Sequence, residues 1–182
     1  LEALQDRLPP FSQAEAEVVI ALSLERPLAK AFISLGPPVA AASIAQVHAA
    51  TLLDGREVVV KVLRPGMREV IGRDLEVLHT LAGLALRWWP EARRLRPTEV
   101  VAEYQKTILD ELDLMREAGN AAQLGRNFAG STMLHVPEVH WDLCRADVMV
   151  MERIRGVPIS ELAELRHRGV DFRRLAENGV EI

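Results

Sequence analysis

Apolar residues recur every three or four positions in several stretches of the chain, a spacing typical of amphipathic helices. Ser12 and Glu15 form a capping box at the start of the first stretch. Pro90 ends the third stretch and Pro97 opens the fourth, within which Gly119 is a weak point. The predicted helices span residues 13–24, 27–32, 67–88, 97–128 and 160–168.

Elsewhere apolar and polar residues alternate, a period typical of strands. Asp54-Gly55 lies between two such stretches and predicts a hairpin turn, whereas Gly36-Pro37-Pro38 is interpreted as a break in the pattern. The predicted strands span residues 44–53, 57–63, 136–141 and 147–154. A sheet of mainly antiparallel strands with long helices packed on it is an α+β fold.

Composition narrows the classes of function. Of the 182 residues, 49% are apolar and 26% are charged, and the net charge is −4. This balance argues against a general nucleic-acid-binding protein, which usually carries a basic face. No apolar run reaches the roughly 18 residues of a membrane span, and the single cysteine, Cys144, cannot form an internal disulfide. We therefore expect a soluble chain with no nucleic-acid partner.

Two neighbouring features after the third predicted helix each allow two interpretations. Trp88-Trp89 predicts packing in the core, with a belt at a membrane interface as the alternative. The basic cluster of Arg93, Arg94 and Arg96 predicts a solvated loop, with an anionic lipid surface as the alternative.

Lys61 is the first candidate functional residue. It lies in the run Val58–Leu63, which is apolar enough to be covered on both faces of a sheet. An ammonium group there needs an anionic partner, because desolvation disfavours the charged form. The alternative is a lysine that protects an edge strand from pairing with other chains.

Small residues and carboxylates supply two more candidates. Ala40-Ala41-Ala42-Ser43 precedes the first predicted hairpin strand, where small side chains allow a backbone to approach phosphate; close packing would select the same residues. On the fourth predicted helix, Asp110, Asp113 and Glu117 share one face, with Glu111 to its side. Such a face is either solvated or paired with a lysine or a metal-bound phosphate.

The order of these features is informative. A small-residue loop, a hairpin, a lysine on its return strand and a carboxylate on a following helix occur in this order in the nucleotide-binding lobe of protein kinases. The predicted strand that ends near Met151 fits the strand leading into the hinge. Glu152 and Ile154 would then line the adenine ring.

Five longer stretches of sequence make the resemblance to one family specific. The sequence closely resembles the UbiB family of atypical kinases, and the resemblance covers nearly the whole chain. LQDRLPPF, near the start, also resembles the family. The five strings are AAASIAQVH, VVVKVLRPG, ELDLMREAGNAAQL, VPEVHWD and VMVMERIRGVPI, at residues 40–48, 58–66, 111–124, 136–142 and 148–159.

The resemblance implies roles for the candidate residues. Ala40, Ala41, Ala42 and Ser43 would form the alanine-rich nucleotide loop. Lys61 would contact the phosphates of ATP, and Glu117 would hold Lys61. The last set, Met151, Glu152 and Ile154, would line the nucleotide near the hinge.

The resemblance also identifies a pair of carboxylates, whereas several other family elements have no match in this sequence. Glu111 and Asp113 would be the family's ExD carboxylates, which meet the lysine of an upstream KxGQ motif. That motif is absent, as are the catalytic-loop residues and the aspartate that binds Mg²⁺. We therefore expect a piece truncated at both ends, inactive in phosphoryl transfer by itself and without a metal site of its own.

The resemblance also implies a domain organisation. Residues 1–35 would be an N-terminal helical extension, and residues 36–156 a kinase-like N-lobe with inserted helices. Residues 157–182 would be the hinge exit and the first helices of a truncated C-lobe.

The implied function is ATP binding in an atypical kinase or ATPase that supports ubiquinone biosynthesis. Its partners would be nucleotide, a quinone-like lipid or ubiquinone-biosynthesis proteins. The parent protein would lie at the cytoplasmic face of the bacterial inner membrane, held by segments outside this chain. The alternative is a non-enzymatic lipid-binding or chaperone module in which nucleotide acts as a switch.

Overall fold

The computed structural model describes residues 11–182, so most of the LQDRLPPF segment lies outside the described residues. Within this range, α-helices pack on both faces of one four-stranded antiparallel sheet, which confirms the predicted α+β class. The strands are β1 (Phe32–Ala41), β2 (Ala45–Leu52), β3 (Glu57–Leu63) and β4 (Val148–Glu152). The helices are α1 (Gln13–Ser23), α2 (Met67–Trp88), α3 (Pro97–Glu111), α4 (Leu114–Asn127), α5 (Leu162–His167) and α6 (Phe172–Glu181).

The central hairpin of β2 and β3 forms as predicted. Its register pairs Thr51 with Glu57 and Ala45 with Leu63 across the Asp54-Gly55 turn. Gly55 has a φ of 89°, a left-handed conformation that glycine adopts without steric cost. The Asp54 carboxylate accepts the backbone N–H of Arg56 at 3.0 Å and so holds the turn closed.

The first strand was not predicted from the sequence. The predicted helix over 27–32 is only a short 3-10 turn at Leu28–Lys30, and β1 continues through Gly36-Pro37-Pro38. β1 is an edge strand, where proline does not remove an interior ladder bond, and its pairing shifts register around Pro38. The strand crosses the predicted domain boundary at 35/36.

The prediction of a single helix over 97–128 is wrong. The structure has two helices there, and the helical conformation is interrupted between α3 and α4. Asp113 is the N-cap of α4, and its carboxylate accepts the N–H of Met115 at 3.0 Å. Leu112 and Leu114 are both buried beside it, so packing and capping favour the break at the same position. Gly119 lies inside α4 without interrupting it.

The predicted strand over 136–141 is also absent; the only pairing there is an isolated bridge between Val139 and Met151. Pro137 has no N–H, and the N–H of Glu138 bonds to the Glu152 carboxylate at 3.2 Å instead of to a neighbouring strand. These two positions explain why no continuous ladder forms. The following predicted strand exists as β4.

The sheet separates two apolar cores, and β3 contributes to both. Val58, Val60 and Val62 are fully buried in the core that α1 covers. Leu63 lies in the core on the opposite face, which Leu114 and Ala118 of α4 cover. Alternation along a strand produces this two-sided burial, as predicted for residues 58–63.

The long helices α2 and α3 pack against each other as a hairpin. His79 Nε2 of α2 lies 2.7 Å from Gln105 Oε1 of α3. At the far end of α2, Trp88 and Trp89 are 74% and 68% exposed, so the expectation that they pack in the core is wrong. None of the helices within residues 11–182 is long and apolar enough to cross a membrane.

Candidate functional site

The ion pair between Lys61 and Glu117 is the centre of the candidate site. Nζ of Lys61 lies 2.7 Å from both carboxylate oxygens of Glu117. The pair is half-buried, with 25% of the lysine side chain and 44% of the glutamate side chain exposed. β3 lies between β2 and β4, so the alternative of a lysine protecting an edge strand is wrong.

Packing around the pair fixes its position. Strand alternation places Lys61 on the sheet face that α4 covers, two residues before the buried Leu63. Leu114 and Ala118 anchor the first turns of α4 in the same core, and Glu117 lies between them in the sequence. The N–H of Leu114 also donates to the Ala146 carbonyl at 2.9 Å, which ties the start of α4 to the segment before β4.

An open cleft of about 480 Å³ adjoins the ion pair. Contrary to the prediction of one continuous helical face, the break before α4 brings Glu111 into this cleft together with the other carboxylates. Four carboxylates therefore face two cationic side chains, and the cleft is acidic overall. Its lining residues are Ile44, Lys61, Thr107, Asp110, Glu111, Asp113, Arg116, Glu117 and Asn120.

These carboxylates differ in what they contact. Asp110 accepts a hydrogen bond from Arg116 Nη1 at 2.6 Å, and Asp113 caps α4. Among the described residues, the Glu111 carboxylate has no hydrogen-bond or ion-pair partner, although the residue borders the cleft. Glu111 is therefore available to a cation that comes from elsewhere.

The alanine-rich segment is a hairpin turn with parts of its two flanking strands. Ala40 and Ala41 belong to β1, and Ala42 and Ser43 form the exposed turn before β2. The N–H of Ala42 donates to the Ala45 carbonyl at 2.8 Å, which closes this turn. Ile44 brings the turn to the edge of the cleft that contains Lys61.

A partly exposed apolar surface continues from Lys61 towards the end of β4. Val47, Ala49 and Val59 lie on the same sheet face as Lys61, as does Met151. The first three were not among the candidates predicted from the sequence. The Asp54-Gly55 turn was the available signal, since its register places Val47 directly opposite Lys61.

The Glu152 carboxylate has two structural partners, both at its Oε2 atom, and Glu152 does not line the cleft that contains Lys61. Its carboxylate accepts the N–H of Glu138 at 3.2 Å and lies 2.9 Å from His135 Nε2. These contacts, first the Glu138 N–H and then the imidazole, lower the pKa of the Glu152 carboxyl group. The backbone N–H of Ile154, two residues later, has no hydrogen-bond partner among residues 11–182.

Arg68 at the start of α2 is another residue that the sequence analysis missed. Its Nη2 atom donates a hydrogen bond to the Leu112 carbonyl, at the break between α3 and α4. The same guanidinium group lies 3.4 Å from the Asp147 carboxylate, just before β4. Arg68 therefore connects three elements around the segment that carries Glu111 and Asp113.

Comparison with known proteins agrees with this arrangement. A family model described as the ABC1 atypical kinase-like domain matches residues 3–182. Proteins named "Probable protein kinase UbiB" from Marinobacter nauticus and Azotobacter vinelandii are 52% and 54% identical over 183 and 180 residues. These matches cover 100% and 98% of this chain but 34% of each relative, so the chain spans about a third of their length.

A solved structure gives a similar result for the fold. The Mycobacterium tuberculosis protein Rv3197, solved in complex with erythromycin, matches this chain with a TM-score of 0.75 and 31% sequence identity. The match covers 91% of this chain and 41% of that protein.

Proposed function

Because this chain belongs to the ABC1 atypical kinase-like family, we propose that it is the nucleotide-binding lobe of a UbiB-like kinase or ATPase that supports ubiquinone biosynthesis. The observation that carries this proposal is the Lys61–Glu117 ion pair at an open cleft. A lysine held by a carboxylate keeps its charge and its position, and can donate to phosphate oxygens without rearranging.

The surroundings of Lys61 support specific roles for other residues. Ser43, in the exposed turn beside Ile44, would place its backbone N–H near the phosphates. Ala42, whose own N–H closes the turn, would hold the turn in shape, and Ala40 and Ala41 would stiffen the strand before it. The partly exposed apolar face of Val47 and its neighbours would contact one side of adenine. At the ring edge, the unpartnered N–H of Ile154 would donate a hydrogen bond, next to Met151 and the backbone of Glu152.

The acidic cleft also suits a phosphate-bound cation. Carboxylate oxygens are preferred ligands of Mg²⁺, and Glu111 has no partner within the described residues. The family resemblance implies that the Mg²⁺ ligands lie outside this chain. We therefore assign Glu111 and Asp113 to a cationic partner from the rest of the protein.

This assignment implies that the chain alone binds nucleotide without transferring its phosphoryl group. We propose residues 36–156 as the N-lobe, to which the first residues of β1, 32–35, also belong because they pair with β2. The preceding residues would be an extension before it, and residues 157–182 the start of the next lobe. We propose a quinone-like lipid or ubiquinone-biosynthesis proteins as partners of the longer protein, at the cytoplasmic face of the inner membrane.

Substitution of Lys61 tests the proposal. Lys61→Ala should weaken ATP binding by about 10- to 100-fold, because a charged hydrogen bond contributes roughly 1.5–3 kcal/mol. The fold should persist, since the side chain borders an open cleft and leaves no cavity in either core. Calorimetric titration with Mg-ATP measures the affinity, and circular dichroism checks the fold.

Lys106→Ala is the matched control, because Lys106 is an exposed lysine on α3 outside the cleft lining. It should leave the ATP affinity unchanged. If Lys61→Ala and Lys106→Ala bind ATP as tightly as the unchanged protein, the assigned role of Lys61 is wrong.

One observation favours the second candidate, a lipid-binding or chaperone module with nucleotide as a switch. α2 leaves Val77 and Leu81 more than half exposed, at 58% and 56%. ATP turnover by the longer protein, with and without a quinone-like lipid, separates the candidates. Turnover supports the kinase or ATPase, whereas nucleotide binding without turnover under both conditions supports the switch.

A further inference from the structure

The far end of the α2–α3 hairpin carries an exposed aromatic surface. We call residues 84–96 the hairpin tip; it comprises the last turn of α2, a 3-10 helix at Pro90–Leu95 and the residue before α3. Trp88, Trp89 and Leu95 are 74%, 68% and 74% exposed. The two tryptophans, Leu84 and Ala85 line a shallow cavity of about 430 Å³. Large apolar side chains exposed together mark a surface that contacts another molecule.

The hairpin tip is also strongly basic. Residues 87–96 contain four arginines and one glutamate, a local net charge of +3 in a chain whose net charge is −4. Arg96 pairs with Glu99 at 3.2 Å. Among the described residues, Arg87, Arg93 and Arg94 have no ion-pair or hydrogen-bond partner. Three guanidinium groups are thus free to contact anions.

The hairpin tip lies far from the nucleotide cleft. α2 has 22 residues and is therefore about 33 Å long. Arg68, at its start, contacts the break that carries Glu111 and Asp113, whereas the tip is at its other end. A substitution in the tip therefore changes no residue of the proposed nucleotide site.

We propose that the hairpin tip docks on a bilayer surface rich in anionic phospholipid. Tryptophan side chains favour the interfacial zone of a bilayer, where one part of the ring is apolar and the N–H remains hydrated. Arginine side chains beside them attract lipid phosphates and reach them from the interface. The tip contacts the membrane peripherally, since no helix within residues 11–182 spans it.

The positive charge of the hairpin tip favours a membrane as its binding partner over a second copy of the chain. In a two-fold symmetric dimer the same patch lies on both sides of the interface. Two surfaces of net charge +3, each carrying Arg93 and Arg94, would then face each other, with only Glu91 of each copy to compensate. A bilayer with anionic lipid supplies the opposite charge and an apolar interior at once.

Tryptophan fluorescence in the intact chain tests docking at the tip. Trp141→Phe removes the third tryptophan, so the remaining emission comes from Trp88 and Trp89. We expect a blue shift, and quenching by brominated lipid, with phosphatidylcholine vesicles that contain phosphatidylglycerol, and a much weaker effect with phosphatidylcholine alone. Raising the salt concentration from about 0.1 to about 1 M should weaken binding, because the screening length falls from roughly 10 to 3 Å.

Paired charge variants assign the interaction to the tip. Arg93→Gln with Arg94→Gln should lower the vesicle partition coefficient by about 25-fold, near 5-fold for each arginine at an anionic surface. The control, Lys30→Gln with Arg174→Gln, removes the same charge from exposed residues on other elements and should have less than about 2-fold effect. Trp88→Ser with Trp89→Ser should reduce co-sedimentation with anionic vesicles to a similar extent.

Three results would overturn the proposal. Emission from Trp88 and Trp89 that is unchanged by anionic vesicles would exclude docking. Equal losses for the tip and control charge variants would show only non-specific attraction. A dimer in sedimentation velocity that Trp88→Ser with Trp89→Ser dissociates would assign the tip to a second copy of the chain.

Discussion

Gln46 and His48 are neighbours on one face of β2, and both polar side chains are completely buried. Gln46 Nε2 lies 2.9 Å from His48 Nε2 and 3.3 Å from the Phe11 carbonyl, and His48 Nδ1 lies 3.0 Å from the Gly36 carbonyl. The carbonyl only accepts, so His48 carries its proton on Nδ1 and accepts from Gln46 on Nε2. The pair connects β2 to β1 and to the segment before α1, which gives His48 a structural role outside the nucleotide cleft.

At the same scale, the contacts of Glu152 predict a dependence of stability on pH. The pKa of Glu152 is lowered in the folded chain, so its stabilising contribution is complete above its pKa in the unfolded chain. The contribution is lost as the pH falls through the lower folded-state value. The difference in unfolding free energy between the unchanged chain and Glu152→Gln should therefore shrink as the pH falls from about 6 to about 3. It should remain below about 1 kcal/mol, because the pair is exposed.

Urea unfolding at several pH values measures this difference. Glu103→Gln is a suitable control, since Glu103 is exposed on α3 and its carboxylate has no partner among the described residues. The prediction would be contradicted if the difference in unfolding free energy between Glu152→Gln and the unchanged chain stayed constant over this pH range.

At the scale of elements, the break between α3 and α4 places the carboxylates around Lys61. A continuous helix would turn Glu111 away from the face that carries Asp110 and Asp113. The observed break instead lets Glu111 border the same cleft. Arg68 supports the break by donating to the Leu112 carbonyl, which lies at the C-terminal end of α3 and would otherwise lack a charged donor.

Arg68→Ala should therefore destabilise the chain by about 1 kcal/mol, less than the roughly 1.5–3 kcal/mol of a buried charged hydrogen bond, because the Arg68 side chain is partly exposed and water competes for it. Hydrogen exchange should accelerate at the first amides of α4, near Met115, because the end of α3 loses an anchor. Arg73→Ala is the matched control, since within residues 11–182 the Arg73 guanidinium hydrogen-bonds only to the Glu69 carbonyl of its own helix. Equal stability and exchange for the two variants would contradict the role assigned to Arg68.

The sequence predicted the elements whose signals are local. The Asp54-Gly55 turn defined the β2–β3 hairpin, and helical spacing together with Pro90 defined α2 at its observed bounds. β1 was missed because Gly36-Pro37-Pro38 normally interrupts a strand; only its position at the sheet edge permits it there. The α3–α4 break was missed because the helical spacing of apolar residues continues through Leu112, whereas the extended backbone of Asp113, the N-cap of α4, interrupts the helix.

In the candidate site, too, residues with a local sequence signal were predicted and residues without one were not. Lys61 and Glu117 were paired from the order of strand and helix, and the observed distance of 2.7 Å confirms that pairing. Arg68 could not be found this way, because its partners lie 44 and 79 residues further along the chain and an isolated arginine carries no periodic signal. Glu111 was assigned from the family resemblance, but its position at the cleft beside Asp110 and Asp113 depends on the break between α3 and α4, which the sequence did not predict.

At the scale of the whole molecule, the chain exposes more surface than its mass requires. Its accessible surface is 12700 Å² for 20.2 kDa, whereas a compact monomer of this mass exposes roughly 8800 Å². The α2–α3 hairpin contributes to this excess through its exposed apolar residues. α5 and α6 contribute as well, since Leu165 is the only residue buried in either helix.

Hydrogen exchange should therefore divide the chain into two regions. Amides of β2 and β3 should exchange only on global unfolding, because both strands have a neighbour on each side. Amides of α5 and α6 should exchange at least about 100-fold faster, since helices of 6 and 10 residues are marginal without packing. Mass spectrometry of exchanged peptides measures both regions, and equal protection in α6 and β3 would contradict this division.

The two-sided burial of β3 has a consequence for how the strands find their partners. Moving β3 by one residue against β2 would exchange its two faces, because side chains alternate. Lys61 would then point, away from Glu117, into the core that Val60 and Val62 fill in the native register. Its ammonium group would lie among apolar side chains at a cost of several kcal/mol. The residue proposed to hold phosphate thus also makes misaligned pairings of this hairpin less stable during folding, before any nucleotide binds.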